Sequence, residues 1–431
     1  MGNTVLPMIP SGTLRQTYFD LSINGTKIPT YNYFQSFSYE RKTSAAGNTG
    51  SITLFDPNWS YLESFVLLKD QPNADIEFSY GWSDLYSKPI KGKITAYSPE
   101  FSSDGVTLKL DFMGLEALNS CVRDNLSFKV GTRISDIVKQ YADSRGIKET
   151  VIEKTRGGFD SPIIKRNCND DYFIQNELVP RAVNLKGLSG YLFFYDETGV
   201  LHFHTPLYSS KNADTIKVYK TYLVYRGMNG EVISFTPDDM AYKRAFLGSH
   251  KVFVESVDPK TKKVIKSVID SSGSSTQIIS GKLSDAPKIK GKSASRTIKS
   301  AHPKQESIDD QAKSRFACYN LDAFSATAEI LGDPYLPIAG QEQEKGQGLA
   351  FVEFIVITSQ DRVHPLSGIY WIKHVTDSMD GGSYTSSLEL SRSSSNVPRA
   401  AALYDLETKN KIGNILREVR ESNLVTKDVE K

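Results

Sequence analysis

Gly368-Ile-Tyr-Trp-Ile-Lys-His-Val-Thr-Asp-Ser-Met-Asp-Gly-Gly-Ser-Tyr-Thr-Ser-Ser-Leu-Glu-Leu-Ser-Arg392 is the stretch on which the fold of this chain turns. Ile369, Trp371 and Lys373 alternate with Tyr370, Ile372 and His374, the two-residue period of a strand. The chain then turns at Asp380-Gly381-Gly382 and returns along Tyr384, Ser386, Leu388 and Leu390, so the stretch predicts a β-hairpin.

The same text recurs near the start. Tyr18-Phe-Asp-Leu-Ser-Ile-Asn-Gly-Thr-Lys-Ile-Pro sets Asn24-Gly25 between two β-favouring runs, a two-residue hairpin signal. Tyr31 to Tyr39, Gly50 to Asp56, Asp75 to Trp82 and Pro89 to Tyr97 read as further strands. Gly105-Val-Thr-Leu-Lys-Leu-Asp-Phe112 puts Val106, Leu108, Leu110 and Phe112 on one face. Several short strands within about 100 residues predict a small antiparallel barrel or sandwich.

The period changes in the middle. Ile134, Ile137, Val138 and Tyr141 fall at helical spacing, with Gly146 as a stop. A second helix is expected from Asn169 or Asp170 to Pro180, with acids at its start and Phe173, Ile174 and Leu178 inward. Gly190 to Thr205 reads as a hairpin around Asp196 to Gly199. β text resumes at Glu231-Val-Ile-Ser-Phe, and Lys251–Val257 and Lys263–Val268 flank the turn Asp258-Pro-Lys-Thr-Lys. From Ser256 to Gln305 there are eleven basic and three acidic residues, and most of that stretch is expected to be an extended loop. A helix near Ser307–Phe324 leads into Ser325–Leu336, a strand over Gly348–Ile357 follows, and a thin apolar stripe after Pro398 predicts a peripheral helix.

These elements predict an α+β protein, mainly antiparallel β. Two similar small β-barrel domains are expected at 1–118 and 233–395, the second carrying a long basic loop at about 270–305. An α/β insert at 119–232 separates them, and a helical tail at 396–431 closes the chain.

With 431 residues the chain has length for two to four domains. The 22 Tyr and 21 Phe suit half-buried pleated surfaces. A net charge of +2, from 52 basic and 50 acidic residues, argues against nucleic-acid specificity over the chain as a whole. Three distant cysteines, Cys121, Cys168 and Cys318, argue against a disulfide framework and for a reducing compartment. The start lacks a basic n-region, and no apolar run approaches the ~20 residues of a membrane span. The expectation is a soluble protein with no membrane span.

No constellation of reactive residues stands out. His202-Phe-His204 places two imidazoles on one side of a strand, a candidate metal pair set against two histidines on the polar face of a hairpin. Gly291-Lys-Ser293 fails as a phosphate loop because Ala286 stands where a glycine is needed. Asp170, Asp171 and Glu177 read as dipole-stabilising acids at a helix start. The basic loop from Lys260 to Lys304 could contact nucleic acid, an acidic partner or a neighbouring copy; its lack of aromatic interleaving argues against single-strand stacking, and a solvated segment that orders on assembly is favoured over a nucleic-acid site. The sequence therefore nominates no catalytic, cofactor-binding or metal residue and no cofactor, and the chain is not expected to be an enzyme.

The order of these modules resembles the central baseplate hub of phage tails, the group that includes the late control protein of contractile phages. Related domains open the spike protein of type VI secretion. The resemblance is carried by Gly105-Val-Thr-Leu-Lys-Leu, Gly131-Thr-Arg-Ile, Asp171-Tyr-Phe-Ile and Gly190-Tyr-Leu-Phe-Phe-Tyr-Asp. Ala326-Thr-Ala-Glu-Ile-Leu-Gly-Asp-Pro, Gly368-Ile-Tyr-Trp-Ile and Gly382 to Arg392 complete it, over about Phe19 to Arg392. The long basic loop and the terminal helix have no counterpart in the pattern.

The resemblance implies a homotrimer in which each chain supplies two similar barrels, giving six copies under a six-fold tail tube and above a three-fold spike. It implies a tail tube or distal tube protein, a central spike protein and other baseplate or tape-measure components as partners. It places the protein in the virion, at the tail baseplate, after assembly in the bacterial host cytoplasm. Two other functions are weighed against it: a host-surface or glycan-binding tail module, and a tail-associated cell-wall hydrolase.

Overall fold

The computed structural model describes residues 15–44, 47–58, 74–114, 123–157, 162–187, 189–205, 218–225, 230–238, 251–258, 261–270, 295–299, 305–320, 324–340, 348–357, 364 and 367–392. The expected C-terminal helix lies outside these residues, as does Gly291-Lys-Ser293.

The first part of the chain forms β1 (Thr17–Ile23), β2 (Thr26–Ile28), β3 (Phe34–Lys42), β4 (Thr49–Asp56), β5 (Asp75–Trp82), β6 (Leu85–Tyr86), β7 (Ile90–Ser102) and β8 (Gly105–Gly114). The middle forms β9 (Arg123–Phe128), β10 (Thr150–Ile152), β11 (Ile163–Asn169), β12 (Leu192–Tyr195) and β13 (Leu201–His204). Next come β14 (Lys220–Val224), β15 (Val232–Asp238), β16 (Lys251–Val257), β17 (Val264–Asp270) and β18 (Ser295–Lys299). The last are β19 (Phe324–Leu331), β20 (Phe351–Val356), β21 (Gly368–Asp380) and β22 (Ser383–Arg392). Antiparallel pairing dominates, and helices are few.

The hairpin predicted from the opening stretch is β21 and β22, closed by Asp380 opposite Ser383. Gly381 and Gly382 make the turn at φ 53° and 102°, angles that side-chain-bearing residues rarely adopt. A bulge between Ile372 and His374 interrupts the ladder. β7 and β8 repeat the design: the same lengths of 13 and 10 residues, a two-residue turn, and a bulge between Ile94 and Ala96 at the same distance from it.

The repetition extends to whole sheet halves. The first half has the order β3-β4-β8-β7-β5-β1; the second has β15-β19-β22-β21-β20-β14. In both, the same chain-order rank occupies the same place. Even the bulges correspond: β3 shifts register between Phe34 and Ser36 against β4, and β15 between Val232 and Ser234 against β19. The halves differ at their ends, since β1 runs antiparallel to β5 whereas β14 runs parallel to β20. β21 serves both halves, pairing with β20 through Gly368–Trp371 and with β3 through His374–Asp380. Among the described residues the result is one 14-stranded sheet. Its two cores are separate, one around Phe37, Phe78, Leu110 and Phe112, the other around Phe354, Trp371, Leu388 and Leu390.

Two smaller units attach to it. In the middle unit, β10, β13 and β12 form one sheet and β11 pairs with β9. The helix Ile134–Ser144 buries Ile134, Ile137, Val138 and Tyr141, as its 3.6-residue spacing predicts. The second unit packs β17-β16-β18 against the helix Gln305–Asn320, with its own core of Val252, Val254, Ile269, Ile308, Ala312 and Phe316.

Three expectations need correction. Tyr31 to Tyr39 is not strand throughout: Thr30–Tyr33 is one helical turn before β3. The helix expected from Asp170 to Pro180 is regular only to Phe173, then widens over Ile174–Leu178 and tightens over Val179–Arg181. Pro180 has no N–H to donate to the preceding turn, so a regular ladder cannot close there. Within the basic segment of about 270–305, expected as loop, Ser295–Lys299 is a strand beside β16. An open strand edge offers a passing backbone hydrogen bonds that composition does not record.

Gly50 stands opposite Phe112, and its counterpart Ala326 opposite Leu390. A Cβ on Gly50 would lie 2.4 Å from the Phe112 ring and 2.5 Å from the Ser38 carbonyl oxygen. The halves thus solve one packing problem in two ways, with glycine beside phenylalanine and alanine beside leucine. Gly50→Ala is expected to cost ~1–3 kcal/mol by overpacking, read from urea denaturation.

Candidate functional site: the buried junction of the sheet halves

Along β3 the side chains of Phe37, Tyr39 and Arg41 are buried in turn. The period that buries two aromatics therefore also buries a guanidinium. Asp377 takes the corresponding place on β21, between the buried Val375 and Met379. Arg41 is 1% exposed and Asp377 0%.

The Asp377 carboxylate is saturated. Oδ2 accepts from Arg41 Nη2 at 2.5 Å and from the Tyr80 hydroxyl at 2.8 Å. Oδ1 accepts from the Tyr384 hydroxyl at 3.0 Å and from Ser386 Oγ at 2.5 Å. Arg41 Nη1 donates to the Leu336 carbonyl oxygen. Burial alone would push the Arg41 guanidinium towards neutrality. The facing Tyr80 and Asp377 reverse this and hold it more firmly protonated than a free arginine. Burial, followed by the Asp377 charge, lifts the Tyr384 hydroxyl well above the phenol range, so it remains a donor.

The same network binds the turn after β19. Ser386 Oγ accepts from the Asp333 N–H at 3.1 Å, and Trp82 Nε1 donates to the Gly332 carbonyl oxygen at 2.8 Å. The Asp333 carboxylate accepts from the Tyr219 hydroxyl at 3.1 Å and the Tyr335 N–H at 3.1 Å. Burial raises the pKa of Asp333.

The middle unit enters the junction through the β12–β13 hairpin. Asn48 Nδ2 donates to the Asp196 carbonyl oxygen at 2.8 Å. Gly348, just before β20, lies so close to the His204 ring that a Cβ would come within 2.4 Å of it. His202 and His204 are buried, not on the polar face of the hairpin as one sequence reading had it. They form a chain: His204 Nδ1 lies 2.9 Å from the Thr205 carbonyl oxygen, His202 Nδ1 lies 3.0 Å from His204 Nε2, and His202 Nε2 lies 3.0 Å from Asp196 Oδ2.

The carbonyl can only accept, so His204 Nδ1 carries hydrogen. If His204 is neutral, its Nε2 accepts from His202, and one proton sits between His202 and Asp196. Burial, then His202, pulls the His204 pKa down to about 3, which keeps it neutral. Burial would raise Asp196, but the His202 contact and the Thr198 and Val200 donors outweigh it and lower its pKa. Among the described residues no group of three or more His, Cys, Asp or Glu is placed to hold a metal ion.

The acids at Asp170 and Asp171 are structural. Asp170 pairs with Arg145 and with Lys165, and Asp171 Oδ1 accepts from the Tyr141 hydroxyl at 3.2 Å. Asn169 caps the turn by accepting from the Tyr172 N–H. The sequence reading missed Arg41 and Asp377, although each interrupts an apolar alternation in the text.

The chain shares its fold with the tail protein from Neisseria meningitidis MC58, with a TM-score of 0.58 at 12% identity over 88% of this chain and 97% of that one. The 43 kDa tail protein of prophage MuSo2 from Shewanella oneidensis matches with 0.56 at 12% identity, over 88% and 99%. The fold is that of phage tail proteins. A chain of the Francisella PdpA–VgrG complex, lidded, matches this chain with a TM-score of 0.50 at 10% identity, over 89% of this chain and 53% of that one. No family model matches the sequence, and neither does any curated protein. Among the described residues no helix is long and apolar enough to cross a membrane.

Two outcomes follow from the junction. Asp377→Ala strands Arg41 in a dry site and is expected to cost ~3–5 kcal/mol, whereas Arg41→Met with Asp377→Leu costs less than the two single changes added. Urea denaturation of the wild type, Asp377→Ala, Arg41→Met, Asp377→Leu and the double change checks it. The second outcome concerns pH. His204 is neutral in the fold but protonates near 6.5 when unfolded, so between about 3 and 6.5 the unfolded chain binds more protons. Its stabilisation is complete above 6.5 and falls with pH below it, by at most ~1.4 kcal/mol per unit. His204→Gln removes that share of the slope, measured as unfolding free energy at pH 7.5 and 5.

Proposed function

We propose that this chain is a structural hub of a phage tail baseplate. In this reading it is a homotrimer that joins a six-fold tail tube to a three-fold central spike. The observation that carries the reading is the repeated strand order of the two sheet halves. A chain that contains one unit twice presents six equivalent units when three chains assemble about an axis, while all else in the assembly stays three-fold.

Each half would close as a small barrel, the first within 1–118 and the second within 233–395. β14, from the stretch expected as insert, would complete the second. The partners are a tail tube or distal tube protein on one face, a central spike protein on the other, and further baseplate or tape-measure components. The protein would reside in the virion after assembly in the host cytoplasm. Its role is to hold shape, without catalysis. The Asp377 and Asp196 carboxylates, each taken up by internal donors, support that role, because such groups are spent on rigidity.

The expected solution species has three times the 48.0 kDa chain mass. Sedimentation at micromolar concentration reads it directly, and electron-microscopy averages of one face should show six density lobes. A monomer at every concentration, with and without tube protein, defeats the reading.

A further inference from the structure

The two smaller units meet where the helix Gln305–Asn320 packs against the turn Val179–Arg181. Ile308, Ala312 and Phe316 of the helix fill the core beneath β16 and β17. Gln311 and Arg315 lie one turn apart on the neighbouring face. Arg156 of the middle unit pairs with Asp310 of the helix. Arg181 and Arg315 bring two further guanidiniums to the contact, one from each unit.

The donors of these two arginines are not used up. Arg181 Nη2 donates to Glu177 Oε2 at 2.5 Å, but Arg181 Nε is shut off from water and bonded to nothing. Arg315 Nε is in the same state, and among the described residues no carboxylate pairs with Arg315. Gln311 is 4% exposed, and its side-chain carbonyl oxygen also has no partner. Rotation of that amide exchanges oxygen for nitrogen, so Gln311 can serve there as a donor.

The charges are equally unbalanced. Two guanidiniums share one carboxylate, Glu177, and the acid nearest to Arg315 in the helix sequence, Asp310, is already taken by Arg156. Burial lowers the Arg181 pKa, and the Arg315 charge adds to the fall against the pull of Glu177. Like charges held partly out of water cost free energy until an opposite charge joins them.

We infer that this contact is an oxyanion site. A phosphate or carboxylate group held between Arg181 and Arg315, with the Gln311 amide as a further donor, cements the helix Gln305–Asn320 to the middle unit. The planar forks of arginine match such groups and bind them by charge-assisted hydrogen bonds. Both arginines are partly exposed, so the group reaches them from solvent. The site does not depend on the hub reading and stands if that reading fails.

Hydrogen exchange over the helix Gln305–Asn320 tests it in the full chain, in chloride, inorganic phosphate and acetate at equal ionic strength. Phosphate, acetate or both are expected to slow exchange in the wild type by about threefold at twice the dissociation constant, and to leave Arg315→Met unchanged. In chloride Arg315→Met is expected to exchange no faster than the wild type, because it removes a repulsion and keeps an apolar stem. Faster exchange there means that the Arg315 charge was already satisfied, and overturns the site. Phosphate strengthens burial everywhere, so equal slowing in both proteins is a general salt effect and also overturns it. Slowing by neither anion does the same. If Arg315→Met does not fold, calorimetric titration of the wild type decides: saturable heat at one anion per chain supports the site, and heat that never saturates overturns it.

Discussion

Asp377 is a carboxylate with no access to water, and the continuity of the sheet depends on how it is satisfied. A lone buried charge is too costly to persist, so the strand that carries it must dock where donors converge. Those donors come from both halves: Arg41 and Tyr80 from the first, Tyr384 and Ser386 from the second. A slip of one residue between β3 and β21 would send Arg41 to the opposite face. The ion pair therefore adds a side-chain lock on register to a junction already held by the backbone ladder between β3 and β21.

Around that junction the two halves have kept their strand order and diverged in detail. The turn lengths and bulges of the paired hairpins coincide, while the side chains that fill the cores differ. Such divergence is expected where packing volume is conserved at each site as a sum, because a core tolerates exchange between neighbours better than change in total volume. The middle unit then locks onto both halves at once, through Asn48 on one side and Gly348 on the other. Its two histidines are hydrogen-bonded to each other, to Asp196 and to the Thr205 carbonyl oxygen, so a pair that resembles a metal site in the text is a hydrogen-bond chain in the fold.

The buried Asp377 carboxylate is satisfied by internal donors, and the sheet halves are joined by backbone ladder as well as by side chains. The proposed hub role uses these features directly: a doubled unit within each chain lets a three-fold body face a six-fold one.

Much of this was legible in the text, and for a common reason. The hairpins at Asn24-Gly25, Asp196–Gly199 and Gly381-Gly382, the strand over Gly105–Phe112 and the helix Ile134–Ser144 all rest on side-chain period and turn chemistry. Both act within a few residues, where φ and ψ preferences and the burial of one face determine the outcome. The union of β3 with β21 joins residues 336 positions apart, and no local pattern encodes which edge meets which. The strand Ser295–Lys299, the widened turn before Pro180 and the burial of His202 and His204 likewise arise from what lies alongside in space. Local propensity could name the strands; register, packing volume and the need to satisfy buried charge chose their neighbours.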